Sequence, residues 1–208
     1  MNRCVIICGY LIGRIDQAIS LQPNDYIICA DAGLDLAQKE GITPHLYIGD
    51  GDSKRQSFGG ACIHLPVRKD DTDLMAAVKH AITKGFSDLW IVGGMGGRLD
   101  HSIASIQTLA YAREHGAYAR LVDRDTTVRL CDSRLCLPRR PGFSLSLFAY
   151  GGRCEGVSLS GVSYPLQNAI LTPDFPLGVS NEITDSHAVV EVKSGLILAI
   201  SSRLEKQT

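Results

Sequence analysis

Short apolar runs alternate with helical patterns along the first 125 residues of the chain. The runs are almost continuously hydrophobic, which is typical of strands that are covered on both faces. They lie at residues 4–8, 26–30, 46–48, 89–92 and 119–122. Because strands and helices alternate, we predict an α/β fold whose N-terminal sheet is mainly parallel and carries helices on its faces.

Two segments between these strands have the spacing of amphipathic helices, with apolar residues three and four positions apart. In the first segment, before Gly85, the apolar residues are Leu74, Ala77, Val78, Ala81 and Ile82. In the second segment, before Gly116, they are Leu99, Ile103, Ile106 and Ala110. Since glycine commonly ends helices, we predict that each helix ends near its glycine and turns its apolar stripe toward the core.

A different pattern begins after residues 138–142, whose sequence is Pro-Arg-Arg-Pro-Gly. Apolar residues now recur at every second position, at Phe143, Leu145, Leu147 and Ala149 and again at Ala188, Val190 and Val192. This period predicts short antiparallel strands in a small C-terminal β-sandwich. We therefore assign residues 1–125 to an α/β domain and residues 126–208 to a β-sandwich domain.

The composition narrows the class of protein. With 45% hydrophobic and 21% charged residues, the 208-residue chain has the balance of an ordinary soluble protein. A net charge of −1 gives no electrostatic reason to expect a nucleic acid or an acidic membrane as partner, and no apolar run approaches the length of a membrane span. The seven cysteines lack the spacing of a zinc site, so we expect reduced thiols in a cytoplasmic protein.

The first candidate site residues are Asp50 and Asp52, which directly follow the apolar run 46–48. Ligands of open α/β sheets bind at the carboxyl ends of the strands, where these residues are expected. Two carboxylates one residue apart, on a loop made pliable by Gly49 and Gly51, suit a Mg²⁺ ion that also binds phosphate oxygens. Glycine and aspartate are also common in polar turns, so this motif alone leaves both readings open.

A second acidic cluster, Asp70, Asp71 and Asp73, immediately precedes the first predicted helix and follows Arg68 and Lys69. Acidic residues at a helix N-terminus are stabilised by the helix dipole, and they can cap free N–H groups. Capping explains one or two carboxylates. It explains three carboxylates beside two basic residues less well, so the cluster is a second candidate for binding a metal or a phosphate.

The third candidate is a glycine-rich loop between a predicted strand and a predicted helix, formed by Gly93, Gly94, Met95, Gly96 and Gly97 and followed by Arg98. Glycines let the backbone approach a ligand closely, helix N-termini bind phosphate, and an arginine can clamp a phosphate with two hydrogen bonds. The loop is neither a P-loop nor a dinucleotide fingerprint. Together the three segments supply the parts of a phosphoryl-transfer site at one edge of the sheet.

The order of these segments resembles the thiamine pyrophosphokinase family. The resemblance is carried by residues 30–33 (Ala-Asp-Ala-Gly), Pro44 with residues 48–53, residues 70–73, residues 93–101 and residues 178–182. It implies an N-terminal α/β catalytic domain that binds ATP and Mg²⁺, and a C-terminal β-sandwich. It also implies ATP and thiamine as substrates, and a homodimer whose thiamine sites lie between the subunits.

The resemblance also implies a role for individual residues. Asp50, Asp52 and Asp73 would hold Mg²⁺ and the ATP phosphates, and Asp70 with Lys69 would lie near the thiamine hydroxyl or the diphosphate. The remaining binding residues that it implies are Asp31, Gly33, Gly96, Gly97, Arg98, Asp100, Ser180 and Asn181. The chain departs from the family pattern at a few positions, where Ala32, Gly51, Ile183 and Leu196 stand. These changes spare the expected metal ligands but leave the aromatic contact to thiamine unassigned.

The implied reaction is attack of the thiamine hydroxyl on the β-phosphorus of ATP, with AMP as the leaving group. Asp70 is preferred over Asp73 as the acceptor of the hydroxyl proton, because a metal-bound carboxylate is a poor base. Two alternatives stay open on sequence grounds. One is a nucleotide-sugar glycosyltransferase in which Asp50 and Asp52 form its metal motif, and the other is a nucleotide-binding or thiamine-sensing module without catalysis.

Overall fold

The computed structural model describes residues 3–50, 58–66, 68 and 70–204. The chain has an α/β fold in which sheet predominates, and it divides between Asp125 and Thr126 into two compact units. The strands of the first unit are β1 (Arg3–Tyr10), β2 (Tyr26–Ala30), β3 (Leu46–Gly49), β4 (Ala61–His64), β5 (Asp88–Gly94) and β6 (Tyr118–Val122). Its helices are α1 (Ile15–Ala18), α2 (Gly33–Lys39), α3 (Asp73–Thr83) and α4 (Leu99–Glu114).

Strands β1 to β6 pair in parallel in the order β4-β3-β2-β1-β5-β6. Five of them coincide with the five predicted apolar runs to within two residues at each end, so these strand predictions are confirmed. The strand β4 was not predicted, because its residues are mostly exposed and carry no apolar pattern. The chain order reverses between β1 and β5, and in open α/β sheets a crevice forms at the carboxyl ends of the two strands that flank such a reversal.

The helix α3 forms as its sequence predicts. Its N-cap is Thr72, whose Oγ1 accepts a hydrogen bond of 3.1 Å from the backbone N–H of Met75. The buried face consists of Leu74, Ala77, Val78 and Ala81, all from the predicted stripe. The helix ends at Thr83, two residues before Gly85, which has a φ of +85°.

The helix α4 presents a different face from the predicted one. Leu99 and Ile103, which we expected to face the core, are 75% and 50% exposed. The buried positions are Ser105, Thr108, Leu109 and Ala112. Ser105 and Thr108 can be buried because each hydroxyl donates a 2.9 Å hydrogen bond to the carbonyl four residues earlier, so neither side chain lacks a partner. The predicted stripe was therefore wrong.

The second unit consists of antiparallel strands in its described residues. They are β7 (Thr126–Cys131), β8 (Arg134–Pro138), β9 (Phe143–Ser160), β10 (Leu166–Leu171), β11 (Gly178–Asn181), β12 (His187–Glu191) and β13 (Ser194–Arg203). The long strand β9 pairs with β13 and β11 along its first half and with β10 and β12 along its second half. Side chains from both halves share one buried cluster.

The alternation predicted for the second unit is confirmed at most of its positions. Phe143, Leu145 and Leu147 are buried, whereas Ser144 between them is half-buried. The residues Ala188, Val190 and Val192 are buried as well. In the part of the chain that the structure describes, no helix is both long and apolar enough to span a membrane.

Candidate active site

A cavity of about 450 Å³ opens in the first unit, at the point where the strand order reverses. Its walls come from the carboxyl ends of β1, β2 and β5 and from the N-terminal ends of α3 and α4. The parallel strands all direct their carboxyl ends to the same edge, so residues from distant parts of the chain meet there. Among them are two of the three sequence segments singled out for phosphoryl transfer: the start of α3 and the glycine loop.

Two aspartates lie at the ends of neighbouring strands. Asp31 directly follows β2, and Asp50 directly follows β3. The backbone N–H of Asp31 donates a 2.9 Å hydrogen bond to the carbonyl oxygen of Ile48, which continues the pairing of the two strands. Asp31 lines the cavity, and Asp50 lies exposed at the adjacent strand end. The sheet thus brings the predicted residues Asp31 and Asp50 to one edge.

The third carboxylate at this edge belongs to Asp73, the first residue of α3, which lines the cavity and is half-buried. Both Asp31 and Asp73 act on the thiol of Cys8. Burial raises the pKa of Cys8 to about 12, with further contributions from Cys29, Asp31 and Asp73. The thiol therefore stays protonated at neutral pH and is no nucleophile. Cys8, Asp31 and Asp73 all line the same cavity.

The other predicted residues of the acidic cluster differ in their placement. Asp70 is exposed. Asp71 accepts two hydrogen bonds, of 2.8 and 2.6 Å, from Nζ of Lys79, two turns along α3. The ion pair with Lys79 accounts for Asp71, so no bound ligand is needed to explain this one of the three carboxylates. Asp52 and Lys69 lie outside the described residues.

The carboxylates at this edge have the donor chemistry for a hard cation. Mg²⁺ is usually bound by one or two carboxylates together with water and substrate phosphates, rather than by a complete set of protein ligands. Among the described residues, no three His, Cys, Asp or Glu side chains are grouped closely enough to hold a metal ion. Asp50 and Asp73 offer carboxylate oxygens of the kind that such a partial set of protein ligands uses.

The glycine loop closes the cavity beside β1. Gly93 has a φ of +73°, and a Cβ atom there would lie 2.8 Å from the carbonyl oxygens of both Cys8 and Tyr10. Only glycine can adopt this conformation so close to the neighbouring strand. The backbone N–H of Gly96 donates a 3.0 Å hydrogen bond to Oγ of Ser102, which ties the loop to the first turn of α4.

Arg98 is the N-cap residue of α4 and lines the cavity. Its Nε and Nη2 donate hydrogen bonds of 3.1 and 2.6 Å to the two carboxylate oxygens of Asp100, and both side chains are mostly exposed. These hydrogen bonds from Arg98 hold the pKa of Asp100 below its usual value. The pair therefore holds the planar guanidinium in a defined orientation at the mouth of the cavity.

Gly33 lies where α2 packs on β1, and it is not among the residues that line the cavity. It is the buried first residue of α2, and a Cβ atom there would lie 1.9 Å from the carbonyl oxygen of Ile7 in β1. Gly33 therefore allows α2 to pack directly on the central strand. The predicted contact of Gly33 with a substrate stays a prediction.

In the second unit, Asn181 and Ser180 have different roles. Asn181 is only 5% exposed, and its side chain exchanges hydrogen bonds of 3.0 and 2.7 Å with the backbone of Tyr164. Its Oδ1 also accepts a 2.9 Å hydrogen bond from the N–H of Glu182. Ser180 is exposed, has a φ of +59° and donates its N–H to Oγ of Ser146. Asn181 thus fixes the segment that presents Ser180.

Sequence reasoning missed one prominent residue of the cavity, Tyr10. The predicted first strand ended at Cys8, whereas β1 continues through an irregularity in its pairing to Tyr10, which lies opposite Gly94 of β5. A usable signal was present, because the residues after the first strand lie at the reversal of strand order in such sheets.

Comparison with known proteins assigns both units to one enzyme family. Residues 20–121 match the family model of the thiamin pyrophosphokinase catalytic domain, and residues 133–197 match that of its vitamin B1 binding domain. The chain is 27% identical to thiamine pyrophosphokinase of Bacillus subtilis (strain 168) over 187 residues, which cover 84% of this chain and 86% of the relative. It is 26% identical to thiamin pyrophosphokinase 1 of Caenorhabditis elegans, with 96% and 90% of the two chains covered.

Solved structures share the fold. The crystal structure of thiamine pyrophosphokinase from Bacillus subtilis has a TM-score of 0.84 at 22% identity and covers 98% of this chain and 99% of its own. That of a family protein from Enterococcus faecalis has a TM-score of 0.82 at 24% identity, with 99% and 100% covered. Since the two matched domains are parts of one enzyme and together extend across both units, the chain belongs to the thiamine pyrophosphokinase family.

Proposed function

We infer that this chain is a thiamine pyrophosphokinase, which transfers the terminal diphosphate of ATP to the hydroxyl of thiamine and forms thiamine diphosphate and AMP. The observation that carries this inference is the cavity at the reversal of strand order. Its lining includes Asp31 and Asp73 together with the glycine loop and Arg98. A diphosphate bound between a cation and an arginine needs this combination of charges.

Within this site, we propose that the glycine loop and Arg98 bind the phosphates of ATP, with Gly96 and Gly97 in the loop and Asp100 supporting Arg98. The exposed guanidinium can supply two parallel hydrogen bonds to phosphate oxygens. Asp50, Asp52 and Asp73 would hold Mg²⁺, which would neutralise charge on the phosphates when bound. Asp31, which lines the cavity beside Asp73, would add to the acidic side of this site.

The acceptor of the hydroxyl proton is proposed to be Asp70. Asp73 is assigned to the metal, and a carboxylate bound to a cation is a weak base. Asp71 is held by Lys79, whereas the exposed Asp70 lies in the same short segment before α3. Lys69, in the same segment of the sequence, would contact the transferred diphosphate.

Incubation of the purified protein with ATP, Mg²⁺ and thiamine tests the function directly. The expected products are AMP and thiamine diphosphate in equal amounts. Consumption of a sugar nucleotide instead of ATP would support the glycosyltransferase alternative. Binding of thiamine without formation of AMP would support the sensing module, and either result would contradict the proposed function.

Replacing Arg98 with lysine tests the proposed phosphate contact. We expect Arg98→Lys to lower kcat/KM for ATP by roughly 10- to 100-fold, because lysine keeps the charge but not the planar pair of donors. Steady-state kinetics with ATP as the varied substrate measure the effect. Arg113→Lys, in the last turn of α4, is the matched control and is expected to leave the kinetics unchanged. An unchanged KM and kcat for Arg98→Lys would contradict the contact.

We also propose that the active unit is a homodimer in which residues 126–208, as a β-sandwich, supply thiamine binding and dimerisation to the catalytic residues 1–125 of the partner subunit. Large apolar side chains are exposed shortly before Ser180: Ile170, Phe175, Leu177 and Val179 are 43% to 64% exposed. Clustered exposed apolar residues often mark protein interfaces. Ser180 would then contact the thiamine, and Asn181 would hold Ser180 in place.

Mixing two inactive variants tests the shared site. One carries Asp50→Asn, and the other carries a Ser180 replacement that disables thiamine binding. A mixed dimer would hold one site with both changes and one with neither, so random exchange should restore about one quarter of the wild-type activity. No recovery after confirmed subunit exchange, or full activity of a strictly monomeric wild type, would contradict the shared site.

A further inference from the structure

The side chain of Tyr10 lies directly against the glycine loop. A Cβ atom on Gly96 would be 2.2 Å from Cε1 and 2.8 Å from Cδ1 of the Tyr10 ring. A Cβ atom on Gly97 would be 3.0 Å from Cδ2 and 3.2 Å from Cε2, on the opposite edge of the same ring. The backbone of the two glycines therefore spans the ring, and their lack of side chains allows this contact.

The backbone of Tyr10 is held in the sheet. Tyr10 is the last residue of β1 and lies opposite Gly94 of β5, so its backbone is paired with the strand that leads into the loop. Its side chain is 48% exposed and lines the cavity. Tyr10 thus contacts the loop and also borders the cavity.

The loop adopts an unusual backbone conformation at this contact. Gly96 and Gly97 have φ values of +95° and +64°, and the next residue, Arg98, is the N-cap of α4. Two successive residues with positive φ are costly to order, because glycine loses the most conformational freedom on folding. A rigid ring packed against both residues reduces the number of backbone conformations that the loop can adopt.

We propose that Tyr10 is a positioning residue, whose ring holds the Gly96–Gly97 turn in place and thereby sets the position from which Arg98 reaches the substrate. Only the kinetic predictions of this proposal rest on the proposed function. The contact adds to the effect of the positive φ values, because a Cβ atom at Gly96 would overlap the ring and one at Gly97 would lie tightly against it.

A double-mutant cycle measures the contact independently of any activity. The variants are Gly96→Ala, Tyr10→Ala and their combination. The control is Gly116→Ala in both the wild-type and the Tyr10→Ala background, since Gly116 has a φ of +79° and no described atom lies within 4 Å of an added Cβ atom. The folding equilibrium constant is measured by urea denaturation, with the fluorescence of Trp90, the only tryptophan, as the signal. Trp90 lies in β5, the strand that leads into the loop.

We expect Gly96→Ala to lower the folding constant at least about 10-fold more than Gly116→Ala in the wild-type background. In the Tyr10→Ala background the two alanine substitutions should agree within about 2-fold, because only the strain of positive φ remains. An equal effect of Gly96→Ala in both backgrounds would show that the ring does not restrict the loop, and the proposal would be wrong.

Kinetics then separate positioning from a purely structural role. We expect Tyr10→Ala to raise KM for ATP about 10-fold while KM for thiamine stays unchanged, and Tyr10→Phe, which retains the ring, to restore the wild-type KM. A lowered melting temperature with an unchanged KM for ATP would overturn the proposal, and so would an equal loss in Tyr10→Phe. If the wild type forms no thiamine diphosphate, the proposed function fails, whereas the double-mutant cycle still decides whether Tyr10 positions the loop.

Discussion

Asp50→Asn is expected to lower kcat/KM for diphosphate transfer at least about 100-fold, which corresponds to roughly 2.7 kcal/mol of transition-state stabilisation. Asn has the shape of Asp but lacks its charge, so it is a much poorer ligand for Mg²⁺. Asp50 is exposed at the end of β3, and its replacement removes no buried contact. The protein should therefore fold normally, and the loss should be confined to the chemistry.

The rate of AMP formation measures this loss, and urea denaturation monitors folding in the same samples. Asp35→Asn is a suitable control, because Asp35 is an exposed aspartate in the first turn of α2 that neither lines the cavity nor belongs to the proposed metal ligands. A titration with Mg²⁺ adds a second readout, since a lost ligand should raise the concentration needed for half-maximal activity. A folded Asp50→Asn protein with full activity would remove Asp50 from the proposed metal ligands.

The strands of the first unit could be predicted because one physical property defines them. A strand that is covered on both faces must be apolar along its whole length, as β1 is from Cys4 to Cys8. The strand β4 lacks this property, since Ala61, Cys62 and His64 are exposed. It is defined instead by its pairing with β3, a long-range interaction that no local pattern of residues records.

The same contrast explains the error at α4. A hydroxyl that donates to the carbonyl one turn earlier is no longer an unsatisfied polar group, so Ser105 and Thr108 pack into the interior as small residues do. Sequence patterns count serine and threonine as polar whether or not their hydroxyls have a partner. The apolar Leu99 and Ile103 were consequently assigned to the wrong face.

The candidate site could be located by sequence, but the roles of its residues could not all be separated. Asp31, Asp50, Asp73 and Arg98 lie at the predicted edge because that edge follows from the order of strands. The sequence places Asp71 in the same acidic cluster as Asp70 and Asp73, and only the structure shows that it pairs with Lys79. Tyr10 belongs to none of the motifs, so the sequence marks it only by its place after the first predicted strand, and its contact with the glycine loop identifies it.

Gly33→Ala is expected to destabilise the first unit by about 3 kcal/mol or more, because an added methyl group would overlap the backbone of β1. The new Cβ atom would lie 1.9 Å from the carbonyl oxygen and 2.5 Å from the carbonyl carbon of Ile7. A side chain can rotate away from such a contact, but the backbone of a central strand cannot. The helix α2 must instead shift away from the sheet and lose its packing at Leu34 and Ala37.

A change of this size should lower the melting temperature by roughly 6 to 12 °C in a chain of this length. Gly59→Ala is the matched control: among the described residues, no atom lies within 4 Å of an added Cβ atom at Gly59, so the stability of this variant should change little. The experiment also separates two explanations for Gly33. If Gly33 serves the packing of α2 on β1, Gly33→Ala lowers stability and lowers activity only in proportion to the unfolded fraction. If stability is unchanged while KM for ATP rises, Gly33 instead allows a substrate to approach the backbone, and the packing explanation is wrong.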